Sequence, residues 1–149
     1  VSGVDLDGKN TVITDFLLAS THFTVLVELK KPTTLLFGKN LNRSDSWKLS
    51  DDLVNAVSQI LSQKADWLIK AENPNYTDSG ELITQQTYDP KAILIIGHTR
   101  EFKGNDRDSR IKAKTFELFR RNSRGIEIIT YDELLERAKF IVTHRSGVI

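Results

Sequence analysis

The run Lys91–Gly97 (KAILIIG) constrains the fold of this chain more than any other stretch. Its apolar residues are consecutive, Ala92 to Ile96, and are bounded by Pro90 and Gly97. A short run without alternation suits a central strand covered on both faces rather than a half-exposed one. Such a strand calls for an α/β sheet flanked by helices. The chain has 149 residues, 39% of them hydrophobic and 28% charged, which fits one globular domain, 1–149, with a genuine core. No apolar run approaches the ~20 residues of a membrane span, and Val1–Asn10 lack the pattern of a secretory signal. A cytoplasmic protein without a membrane partner is expected. With no cysteine, a disulfide framework, a thiolate zinc site and a cysteine nucleophile are excluded. With no methionine, even at position 1, a domain excised from a longer protein is expected.

The elements around this strand follow from local rules. Thr11–Leu18 (TVITDFLL) and Phe23–Lys30 (FTVLVELK) are rich in β-branched and aromatic residues and read as strands, joined by a short connection over Ala19–His22. Pro32 ends the second strand, and a polar stretch leads from Phe37 to Lys48. Ser50 is placed as an N-cap, with Asp51 and Asp52 in the first turn of a helix. That helix carries Leu53, Val57, Ile60, Leu61 and Leu68 on one face and should stop before Pro74. Asn73–Pro90 reads as a long loop. A second helix is predicted from about Ser109 to Asn122, with Ile111, Thr115, Leu118 and Phe119 inward and Gly125 as its stop. Ile126–Ile129 is a short strand. Thr130 and Glu133 have capping-box spacing and open a helix whose Leu134, Leu135, Ala138, Ile141 and Val142 read as core. The order β-β-α-β-α-β-α gives a mixed sheet.

The chemistry gathers on the first hairpin. Asp15 interrupts an apolar strand, where a carboxylate must be met by a cation, a donor or water. Glu28 and Lys30 lie two residues apart, on one face of the second strand. A hairpin turning about Thr21 and His22 puts Asp15 opposite Glu28, and like charges so placed are destabilising. A shared divalent cation gives this register a reason: Mg²⁺ is commonly held by one or two carboxylates, waters and substrate phosphate. Asp15 and Glu28 would then bind the metal, with the carbonyl of Leu29 as a further ligand. Lys30 would orient the attacking water and neutralise charge on a scissile phosphate. The plainer alternative is a charged strand end, with Asp15 hydrogen-bonding locally.

Residues 98–125 hold nine Lys/Arg against four acids, a net of +5 in a chain whose overall charge is +1. Arg100, Lys103, Arg107 and Arg110 are therefore candidates to contact a DNA backbone, whereas a solvated helix face is the bland alternative.

The pattern D-x12-E-x-K on a predicted hairpin, followed by a helix and a strand, resembles the PD-(D/E)xK nuclease superfamily. More narrowly, VLVELKKP (Val25–Pro32), AVSQI (Ala56–Ile60), AILIIGH (Ala92–His98) and ITYDELLERA (Ile129–Ala138), in that order, resemble the nuclease domain of the Shedu anti-phage defence proteins. The resemblance covers the chain from Thr11 to its end. It implies a restriction-endonuclease-like sheet and a metal-dependent DNA endonuclease using Mg²⁺ or Mn²⁺, within a larger homo-oligomeric protein. It places the metal acids at Asp15 and Glu28 and the catalytic lysine at Lys30, and it adds Gln59 as an active-site residue. From the residues alone, Gln59 either binds substrate or water, or caps a neighbouring group. The chain departs from the superfamily in two respects. Gln63 stands where an aromatic residue is common, and only Val1–Asn10 precede the Asp strand, too little for the usual first helix and edge strand.

Other motifs carry less. His22, His98 and His144 have no metal-ligand spacing, and Gly97 and Gly104 form no phosphate loop. His98 stands beside Arg100, near enough to approach a substrate, but reads equally as polar surface. Trp47 and Trp67 read as core or interface aromatics. Two rival functions are a catalytically silent DNA-binding or interaction module of the same fold, and an unrelated nucleotide-binding α/β domain.

Overall fold

A computed structural model of the chain describes residues 15–19, 24–71 and 89–145. The expected turn of the first hairpin, the start of its first strand and most of the 73–90 loop lie outside these residues. Four strands form one sheet in the order β1 (Phe16–Ala19), β2 (Thr24–Leu29), β5 (Lys91–Ile95), β6 (Ile126–Ile129). β1 runs antiparallel to β2, whereas β2, β5 and β6 are parallel. The sheet is thus mixed, and KAILIIG supplies one of its two inner strands. Phe16 pairs with Val27 and Ala19 with Thr24, the register expected from the sequence.

Alternation along the strands sorts the core. Ala92, Leu94, Ile96, Ile126 and Ile128 pack with Leu53, Ala56 and Ile60 of α1 (Asp51–Ala71) and Phe116 of α2 (Arg107–Asn122). Val25, Val27 and Ile95 form a smaller cluster on the other face with Leu29, Ile93 and Tyr131. Each helix begins where its cap dictates. Ser50 Oγ accepts from the Leu53 amide at 3.0 Å, and Glu133 Oε2 accepts from the Thr130 amide at 3.0 Å, opening α3 (Tyr131–Arg145).

Several expectations need correction. The polar stretch after Pro32 contains a second hairpin, β3 (Phe37–Leu41) with β4 (Trp47–Leu49). Phe37, Trp47 and Leu49 turn toward the core, and Asp45 adopts φ 51° in the turn, a conformation Asp tolerates better than most residues. α2 starts at Arg107 because Asp106 caps it, accepting from the Ser109 amide at 2.9 Å. Phe116, fully buried, takes the core position, while Leu118 is 53% exposed. The amide of Ser123, not Gly125, closes this helix, bonding back to Phe119 and Arg120. Leu61 is exposed rather than inward. The stripe on α3 is not core: Leu134, Leu135, Ile141 and Val142 are exposed, the last at 67%, and only Tyr131 in the first turn joins a core cluster. Among the described residues, no helix is long and apolar enough to cross a membrane.

Gly97 ends the β5 run at φ 63°. A Cβ there would lie 2.8 Å from Leu36 Cδ2 and 2.9 Å from the Thr34 carbonyl oxygen, so the chain passes under the 31–36 turn only because the residue is glycine. Gly97→Ala should therefore lower stability by roughly 2–3 kcal/mol through strain and overpacking, read as a lower urea midpoint with the slope unchanged.

Candidate active site at the carboxyl end of β2

Glu28 is the one charged residue on the buried face of β2, and its surface is 3% exposed. Register puts it beside Leu94 of β5, under α1. A carboxylate in that position needs donors, and two side chains provide them. Lys30 Nζ donates to Glu28 Oε1 at 2.7 Å, and Gln63 Nε2 donates to Glu28 Oε2 at 3.3 Å. Lys30 Nζ also donates to Gln59 Oε1 at 2.9 Å. Gln59 and Gln63 are one helical turn apart, so both amides face the end of β2.

The backbone holds Lys30 equally firmly. Its amide donates to the Ile95 carbonyl at 2.8 Å, and its carbonyl accepts from Tyr131 Oη at 2.6 Å. The side chain is 30% exposed and, with Thr34, Asp52, Asn55, Ala56 and Gln59, lines an open groove of about 250 Å³. Asp15, just before β1, is exposed, and its Oδ2 accepts from the Leu29 amide at 2.7 Å. The structure thus joins Glu28, Lys30 and Gln59 directly and ties Asp15 to the same strand end through Leu29. Gln63 and Tyr131 are the contacts that sequence reasoning missed. For Gln63 the signal was its spacing of four from Gln59.

The four candidate DNA contacts lie apart from this network, in segments that leave the carboxyl end of β5, the strand parallel to β2. Arg100 sits on a 3-10 turn (Thr99–Glu101) that follows β5, Lys103 comes just after it, and Arg107 and Arg110 lie in the first turn of α2. All four are exposed. Two other cations of the basic segment serve structure: Arg120 bridges Glu117 and Glu133, and Lys112 lies over the Trp47 ring at 4.5 Å. His98 caps the 3-10 turn, accepting from the Arg100 amide at 3.1 Å.

Asp132, at the start of α3, fastens that turn by accepting from the hydroxyl and amide of Thr99. Partial burial opposes its charge, but the bonds from Thr99 and Thr130 outweigh it and hold the carboxyl at about 2, against 3.8 ordinarily. A depressed folded-state pKa stabilises above the unfolded value and loses that effect as pH falls through the folded one. Asp132→Asn should cost about 1–2 kcal/mol at neutral pH, allowing for solvent screening, and the deficit should shrink between about pH 4 and pH 2 in urea titrations.

Comparison with known proteins supplies the family. The family model described as "Shedu protein SduA, C-terminal" matches residues 1–135. The chain is also similar to the Shedu protein SduA of Bacillus cereus (strain B4264), 29% identical over 152 residues. That alignment takes in 99% of this chain but 38% of the relative, so the chain spans well under half of the curated protein it matches. With its match extending over nearly the whole sequence, this chain belongs to the family of Shedu SduA C-terminal domains.

Proposed function

We propose that this chain is a metal-dependent DNA endonuclease domain acting in bacterial anti-phage defence. The observation that carries the reading is the Lys30 ammonium, fixed by Glu28 and Gln59 at the end of β2, with Asp15 anchored on the adjoining Leu29 amide. The donors fit a hard cation, because Asp15, Glu28 and the Leu29 carbonyl offer only oxygen, and Asp15 Oδ1 has no partner among the described residues. No three His, Asp or Glu side chains gather at one point among those residues, so the chain would give the ion two carboxylates and leave the rest to water and substrate phosphate. Held there, Mg²⁺ or Mn²⁺ would supply Lewis-acid polarisation of the phosphate and a more acidic bound water.

The chain's own side chains do the remainder. Lys30 orients the attacking water and balances charge developing on the phosphate oxygens. Gln59 keeps the ammonium in place, and Gln63 holds the far oxygen of Glu28 so that the near one stays directed toward Lys30. Arg100, Lys103, Arg107 and Arg110 position the DNA backbone without reading its sequence. Homo-oligomeric assembly, a cytoplasmic setting and control by other parts of a longer protein belong to the same reading.

Linear and supercoiled plasmid, incubated with Mg²⁺, Mn²⁺ or chelator, provide the test. Metal-dependent cutting by wild type should fall at least about a hundredfold in Glu28→Ala and Lys30→Ala, with both variants still folded by circular dichroism. Folded wild type that binds DNA but leaves it intact with either ion would instead establish the silent binding module.

A further inference from the structure

The β3–β4 hairpin is inserted between β2, which Lys30 directly follows, and the helix that carries Gln59. Its composition is lopsided: residues 31–50 contain Lys31, Lys39, Arg43 and Lys48 but only one acid, Asp45. The hairpin is fixed at three levels. At its base, the Ser50 amide donates to the Leu36 carbonyl at 3.0 Å, and the Leu36 amide donates to Glu101 Oε1 at 2.9 Å. Along its length, the Trp47 amide donates to Thr115 Oγ1 at 3.0 Å, and Trp47 Nε1 donates to the Gly38 carbonyl at 2.7 Å. At its tip, Arg107 Nη2 reaches Asp45 Oδ1 at 3.1 Å. The sole acid of the hairpin is therefore spent on α2, while Lys39 and Arg43 stay exposed and have no ion-pair partner among the described residues.

The Asp45–Arg107 contact joins segments 62 residues apart and sets the hairpin's cations beside the first turn of α2, where Arg110 is also exposed. We propose that the β3–β4 hairpin is a second DNA-contacting arm, with Lys39 and Arg43 binding phosphates of a duplex that runs on from the active-site groove. The proposal deepens the nuclease reading and rests on it for the identity of the ligand. Phosphate backbone is the occupant that matches: the cations are spaced along an exposed, mostly polar strand and turn, which offers charge and hydrogen bonds but no pocket for a base. Fixing the arm beforehand also removes the ordering cost of a loose basic loop.

The test uses a fluorescein-labelled DNA duplex in chelator, so that cleavage plays no part, with anisotropy read across a salt series. Lys39→Ala/Arg43→Ala should weaken binding about tenfold and lower the slope of log K against log salt by about 2, with thermal unfolding unchanged because both side chains are exposed. Lys139→Ala, on the exposed part of α3, should bind as wild type does. Unchanged affinity and slope in the double variant, beside weakened binding by Arg110→Ala, would overturn the arm and leave the nuclease reading standing. Weakened binding by the double variant of a wild type that never cuts would uphold the arm while the nuclease reading fails. No binding by wild type would overturn both.

Discussion

A carboxylate on an apolar sheet face is expensive to keep unless donors reach it from the elements packed above, and Glu28 imposes that demand here. The demand is met from two directions. Lys30 comes from just past the end of the same strand, two residues on, and Gln63 comes down from α1. Once α1 must place Gln63 over Glu28, the helix position is set, and Gln59 one turn earlier falls within reach of Lys30. The polar network and the packing of Leu53, Ala56 and Ile60 therefore specify the same helix placement. On the other side, the Tyr131 hydroxyl ties α3 to the Lys30 carbonyl, so β2, α1 and α3 all bond to Lys30 or to the residue pair it forms with Glu28.

What was legible beforehand was local. The Ser50 cap, the Thr130–Glu133 box and the hairpin register depend on residues close in sequence, and the structure repeats them. The β3–β4 hairpin was not legible, because Phe37, Trp47 and Leu49 are separated by polar residues without clean alternation, and its turn lacks an Asn-Gly signal. On α2, periodicity could not choose between Phe116 and its neighbours; the ring contacts of Phe116 with Phe37 and Phe102 decide it. The α3 stripe teaches a different lesson. Periodicity shows that a helix has an apolar face, but it does not say that this chain covers it, and Phe140 is 63% exposed. In the site, charge and spacing pointed to Asp15, Glu28 and Lys30, whereas neutral Gln63 offered only its helical spacing from Gln59 and Tyr131 offered no signal.

The basic segment also divides under structural scrutiny. Lys112 and Arg120 are absorbed by aromatic faces and carboxylates, and Arg107, though exposed, shares its charge with Asp45 at the hairpin tip. Counting cations along the sequence overstates what that segment presents to a ligand and overlooks the hairpin beside it. A net charge near zero thus conceals exposed cations on the hairpin, on the 3-10 turn and at the start of α2, segments that the Leu36–Glu101 and Asp45–Arg107 contacts tie to one another.

Trp47, one of two tryptophans in the chain, stands where the hairpin meets α2, with the Lys112 ammonium 4.5 Å from its ring and its indole nitrogen tied to Gly38. Indole emission is sensitive to nearby charge and to the loss of a hydrogen bond, so this side chain is a built-in optical gauge of the joint. Any rearrangement that lifts the hairpin from α2 would change the light the protein emits, without a dye having to be attached.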